Sequence, residues 1–156
     1  MVYTVGEMAK ILNMAPSTLR YYDKEGLLPF VERTESGIRM FKDSDYEWLL
    51  IIDCLKNTGM GIKDIKKFIK MVMAGDTTIK ERLAMIIKQR ESVKEQMKKL
   101  QQTLEILDYK VWYYSTADKA GTTSVPRNMA EEEIPKHLRE ARRRLKLTHA
   151  RADELN

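Results

Sequence analysis

Thr4-Val5-Gly6-Glu7-Met8-Ala9-Lys10-Ile11-Leu12-Asn13-Met14-Ala15-Pro16-Ser17-Thr18-Leu19-Arg20-Tyr21-Tyr22-Asp23-Lys24-Glu25-Gly26 decides the fold. Thr4-x-x-Glu7 is a capping box, in which each side chain satisfies the other's free backbone N–H. Val5, Met8, Ala9 and Leu12 then recur on one helical face. Asn13-Met14-Ala15 interrupts the period. Pro16 suits the first turn of a second helix, where its missing N–H costs nothing. That helix runs through Leu19 and Tyr22 and stops at Gly26. Two short helices across so short a turn have the spacing of a helix-turn-helix.

Downstream, Pro29 ends helical structure. Phe30-Val31 and Ile38-Arg39-Met40-Phe41 flank Glu35-Ser36-Gly37, which predicts a β-hairpin with glycine in its turn, a wing. Ser44-x-x-Glu47 is expected to cap a third helix with Trp48, Ile51, Ile52 and Leu55 inward, ending at Gly59. A fourth follows Gly61 with Ile62, Ile65, Ile69 and Val72 inward and stops at Gly75. Thr78-x-x-Glu81 is expected to cap a fifth. Its positions Ile79, Leu83, Ile86, Arg90, Val93, Met97, Leu100, Leu104, Leu107, Val111 and Tyr114 alternate spacings of four and three. Only Arg90 is polar, and the pattern lasts about five heptads, a coiled-coil seam roughly 50 Å long at 1.5 Å per residue.

These patterns predict a mainly α chain. Residues 1–75 form a winged helix-turn-helix head, 76–116 a coiled-coil dimerisation helix, and 117–156 a polar tail, flexible or partly helical. Within the tail, Glu131 to Leu147 reads as a possible helix, acidic first and basic last, an order that complements the helix dipole. The long stripe must be covered, and no second long helix is available to fold against it. The expected cover is the same helix of a second copy, with Leu83, Ile86, Val93, Met97, Leu100, Leu104, Leu107 and Val111 at the homodimer interface. The other reading, packing against its own head, fails on length.

The chain of 156 residues carries a formal net charge of +5. Residues 1–75 hold 11 Lys/Arg and 10 Asp/Glu, so bulk charge does not locate a nucleic-acid site. Apolar runs such as Trp48 to Ile52 are far too short to span a bilayer. The first residues do not have the pattern of a secretory signal. With Cys54 as the one cysteine, no internal disulfide forms. A soluble cytoplasmic protein with no membrane partner is the expectation. No enzyme, cofactor or metal is expected: paired catalytic carboxylates, a Ser/His/Asp set and a phosphate loop are missing from the pattern. His137 and His149 stand isolated, far from the clustered ligands that zinc needs.

Thr18-Leu19-Arg20-Tyr21-Tyr22-Asp23-Lys24-Glu25-Gly26-Leu27-Leu28-Pro29 resembles the MerR family of bacterial regulators, in which an Arg-Tyr-Tyr core precedes an acidic residue and Gly-Leu. The wing segment Ser36-Gly37-Ile38-Arg39-Met40-Phe41 and the order of elements match it too, over residues 1 to about 116; the tail lies outside. The resemblance implies a winged helix-turn-helix, an antiparallel coiled-coil dimer and a palindromic promoter site in double-stranded DNA. It also implies a regulator that bends and untwists that DNA for RNA polymerase, with deformation energy as part of its specificity.

The residues then take roles. Ser17 and Thr18 reach base edges, Arg20 and Tyr21 hold phosphate, Arg39 of the wing makes a phosphate or minor-groove contact, and Lys63 at the start of the fourth helix binds phosphate with free backbone N–H groups. Against these stand plainer readings: Ser17 stabilises its helical turn, Lys63 is a solvated surface residue, and Tyr22, sharing a face with Leu19, is core. Ile51-Ile52-Asp53-Cys54-Leu55-Lys56-Asn57-Thr58-Gly59-Met60 is similar to the aldehyde- and electrophile-sensing, NmlR/AdhR-like branch, which implies Cys54 as a thiol sensor. Positive charge activates a thiol, but Lys56, two residues on, lies on another face. A packing role for Cys54, with a non-covalent small-molecule effector, remains open beside it. A coiled-coil adaptor that docks a protein is a third possibility, which Arg20, Tyr21 and Arg39 disfavour.

Overall fold

Thr4 caps the first helix as its spacing predicts. In the computed structural model, which describes residues 1–153, Glu7 N–H donates to the Thr4 hydroxyl at 3.3 Å and Thr4 N–H to the Glu7 carboxylate at 2.7 Å. Positions 154–156 of the expected tail, and the side chain of His149, lie outside the described residues. Helix α1 (Val5–Ile11) turns through Asn13, whose φ of 52° is tolerated by asparagine's short polar side chain, into α2 (Pro16–Lys24). Pro16 is in the first turn of α2, as expected. Gly26, at φ 71°, ends it, with its N–H on Asp23 O and Leu27 N–H on Tyr22 O.

The wing is a three-stranded antiparallel sheet. Strands β1 (Val2–Tyr3), β2 (Glu32–Arg33) and β3 (Arg39–Lys42) lie in the order β1-β3-β2, with Tyr3 opposite Phe41 and Arg33 opposite Arg39. Two differences from the sequence reading appear here. The N-terminal strand was not expected. The first hairpin strand begins at Glu32 rather than Phe30, because Val31 N–H closes a turn on Leu28 O and the Phe30 and Val31 side chains pack on the core.

Helix α3 (Asp45–Asn57) and α4 (Ile62–Met73) complete the head. Ser44 does not cap α3; instead Asp45 accepts from Lys42 N–H at 2.9 Å, tying α3 to the sheet. The buried apolar residues of α3 are Leu49, Ile52 and Leu55, with Trp48 and Ile51 half-buried beside them; α4 buries Ile65, Phe68 and Ile69. Helix α5 (Ile79–Ala120) is 42 residues long. A 3-10 turn at Asp76–Thr78 leads into it. Thr78 is no cap there: its hydroxyl donates to Met71 O and Gly75 O and ties the start of α5 to α4.

The chain divides into two compact units, Met1–Val93 and Lys94–Asn156, and α5 supplies helix to both. In the second unit the tail folds. Helices α6 (Ser124–Asn128) and α7 (Arg139–Asp153) flank two 3-10 turns. Residues 131–147 are therefore not one helix: Pro135, which has no N–H, sits between the turns, and α7 begins at Arg139. A small core of Tyr109, Ile134, Leu138 and Ala141 forms there, packed by Trp112 and Tyr113. Arg142 is buried within it and donates to the carbonyls of Arg127 and Met129. Arg144 binds Glu105 of α5 at 3.0 Å, and Arg143 pairs with Glu131. Arg142, Arg143 and Arg144 thus serve as internal staples.

Candidate nucleic-acid interface

Helix α2 presents its polar face to solvent because Leu19 and Tyr22, three apart, occupy the buried side. Ser17, Arg20 and Tyr21 are exposed and Thr18 is half-buried. Arg20 is in no ion pair among the described residues. Tyr22 is core, as its spacing indicated, at 2% exposure. Its hydroxyl donates to Asp53 of α3 at 2.7 Å, and burial together with that carboxylate pushes its pKa well above the usual tyrosine value. Asn57 donates to the other oxygen of Asp53 at 2.8 Å. Ser17, Thr18 and Tyr21 line one groove beside α2, and Lys56 and Asn57 from the end of α3 form its other wall.

Arg39 lies elsewhere. Its Nε donates to Asp23 at 2.8 Å, its Nη2 bonds the same carboxylate, and Arg33 adds a bond at 2.7 Å. Asp23 is in the last turn of α2, so this pair of arginines, which face each other across the hairpin, clamps the wing to α2. The sequence reading missed Arg33 and Asp23. Lys63 is exposed at the start of α4 and lies with Lys66, Lys67 and Lys70 along one lysine-rich surface. Lys66 reaches back over Gly26: a side-chain carbon there would lie 3.0 Å from its ammonium.

Cys54 is exposed on α3. Its carbonyl accepts the Thr58 hydroxyl at 2.7 Å, and Gln89 of α5 donates its amide to that same hydroxyl and to Thr58 O. Along α5, Leu83, Ile86, Met97, Leu100, Leu104, Leu107 and Val111 are exposed, Leu100 at 69% and Val111 at 67%, while Val93 is half-buried.

A head of this kind, followed by a single long helix, is a winged helix-turn-helix protein. A family model described as the MerR HTH family regulatory protein matches residues 3–72. An uncharacterized HTH-type transcriptional regulator of Haemophilus influenzae is 46% identical over 122 residues, 78% of this chain and 90% of that protein. The HTH-type transcriptional regulator AdhR of Bacillus subtilis is 32% identical over 91 residues, 58% of this chain and 65% of AdhR. The solved structure of HiNmlR, a MerR family regulator lacking the sensor domain, bound to promoter DNA, matches with a TM-score of 0.77 at 44% identity, over 86% of this chain and 100% of that one. The chain belongs to the MerR family of helix-turn-helix transcription regulators, and its likeness to HiNmlR and AdhR agrees with the NmlR/AdhR branch.

Proposed function

We propose that this chain is a cytoplasmic regulator that binds a palindromic promoter site as an antiparallel coiled-coil homodimer and distorts the DNA on which RNA polymerase acts. The observation that carries the DNA reading is the exposed face of α2. Ser17, Arg20 and Tyr21 stand in solvent on a helix anchored from behind by Tyr22. Such a helix enters a major groove with short hydroxyls at base edges and a long cation at the backbone. The promoter DNA in the HiNmlR complex supports the same choice of partner. Arg39 keeps its Nη1 edge for a phosphate while its other nitrogens grip Asp23. Lys63 adds charge at the N-terminal turn of α4.

The exposed stripe of α5 supports the dimer. Large contiguous apolar surface in water marks an interaction site, and a heptad stripe fits a second copy of itself. Two heads at a fixed spacing match two symmetric half-sites.

Exposure of Cys54 supports the sensor role, since a reactive thiol must be reached by its electrophile. It also removes one route. An adduct on an exposed thiol does not overpack this chain's own core, so the signal travels through the Thr58–Gln89 contact between α3 and α5. A second reading, a non-covalent effector with a structural Cys54, is supported by a cleft of about 340 Å3 lined by Met60, Asp64, Lys67, Met85, Lys88 and Gln89.

Fluorescence anisotropy with the DNA upstream of the chain's own gene, against a shuffled duplex of the same composition, tests the reading. Salt-sensitive binding that prefers the natural duplex is expected. Equal affinity for both duplexes contradicts a sequence-reading regulator.

A further inference from the structure

The groove beside α2 has two walls, and the second is the end of α3, the helix that carries Cys54. Lys56 and Asn57 stand there opposite Ser17, Thr18 and Tyr21. On a bare helix Asp53, three residues before Lys56, is placed to pair with it. Here both Asp53 oxygens are taken, one by the Tyr22 hydroxyl and one by the Asn57 amide. Lys56 is in no ion pair among the described residues. The hydroxyls of Ser17, Thr18 and Tyr21 have no internal partner among them either. The groove therefore offers one cation and three hydroxyls that are unpaired among the described residues.

We propose that Lys56 is a DNA-phosphate ligand and that this groove seats a phosphodiester of the strand that α2 tracks. This rests on the DNA-binding reading above. A phosphodiester brings one negative charge and oxygens that only accept, which matches the Lys56 ammonium and the Tyr21 hydroxyl and leaves Ser17 and Thr18 to the base edges. An acidic peptide has similar chemistry, but the groove runs onto the exposed face of α2, so duplex DNA lying along that helix meets it directly. The cysteine helix then touches DNA itself, two residues beyond Cys54, and the Tyr22–Asp53–Asn57 bridge fixes its end to the recognition helix.

The test is the salt dependence of binding by the full chain to its own upstream DNA. Each phosphate neutralised adds roughly one unit to the slope of log affinity against log salt. K56Q should weaken binding and flatten the slope by about one unit, and K56R should retain it. Should K56Q melt early, K56M is read in its place against K56R. A K56Q or K56M slope equal to wild type overturns the phosphate seat while leaving DNA binding intact. A wild type without salt-sensitive binding instead removes the DNA reading on which the seat rests.

Discussion

Asp23 holds two arginines of the wing at 12% exposure, so its charge acts where water screens it little. Asp23→Asn keeps the shape and removes that charge. Leaving two guanidinium groups underpaired should lower stability by about 1–3 kcal/mol, read as a lower urea midpoint with an unchanged slope. A midpoint equal to wild type contradicts the clamp. Arg20 has no such internal duty, so Arg20→Ala should leave the midpoint alone, weaken binding to all duplexes and flatten the salt dependence. Changes at Ser17 or Thr18 should instead alter base preference. Equal affinity of Arg20→Ala and wild type at moderate salt contradicts the assignment. The sequence made Tyr22 legible as core because Leu19 lies three positions before it on the same face. It hid the clamp because Asp23 meets arginines 10 and 16 residues away, across a wing whose fold-back no local period encodes.

At the scale of elements, the capping box of α1 has a pH signature. The backbone N–H and hydroxyl of Thr4 hold the Glu7 carboxyl below the ordinary glutamate value of 4.5. A lowered folded value means the contribution is full above the unfolded value and is lost as pH falls through the folded one. Wild type should therefore be more stable than E7Q at neutral pH, and the gap should close in acid; a gap constant from pH 7 to about 3 contradicts it. Helix α5 has two faces with different fates. Leu104, Leu107, Val111 and Tyr114 stand about half a turn from Ile106, Tyr109, Trp112 and Tyr113, at 3.6 residues per turn. The tail covers the second set and leaves the first exposed. Deleting residues 121–156 should uncover the aromatic face and turn dimers into larger assemblies by sedimentation; a truncated chain that sediments as a clean dimer contradicts this. The α5 stripe was legible because it repeats for five heptads. The tail's fold was not, because its core is assembled from Tyr109 on α5 and from Ile134, Leu138 and Ala141, only three residues beside a proline break. Composition sees only a polar, charged stretch there.

For the whole molecule, Cys54 is an exposed thiol on a helix that meets both α2 and α5, and the proposed sensor role rests on that position. Cys54→Ser should keep promoter affinity and lose the transcriptional response to an aldehyde in vitro. A serine variant that responds as fully as wild type moves the effector to another site, with the cleft around Met60 and Met85 the next to test. The central claim is that two copies of this chain, joined along α5, read one promoter. Sedimentation equilibrium of the chain with its own upstream duplex tests that most directly. Two chains per duplex are predicted, and Leu100→Asp, which puts a charge in the seam at a cost of several kcal/mol, should lose that complex. One chain per duplex, or a complex that Leu100→Asp leaves unchanged, would contradict the account.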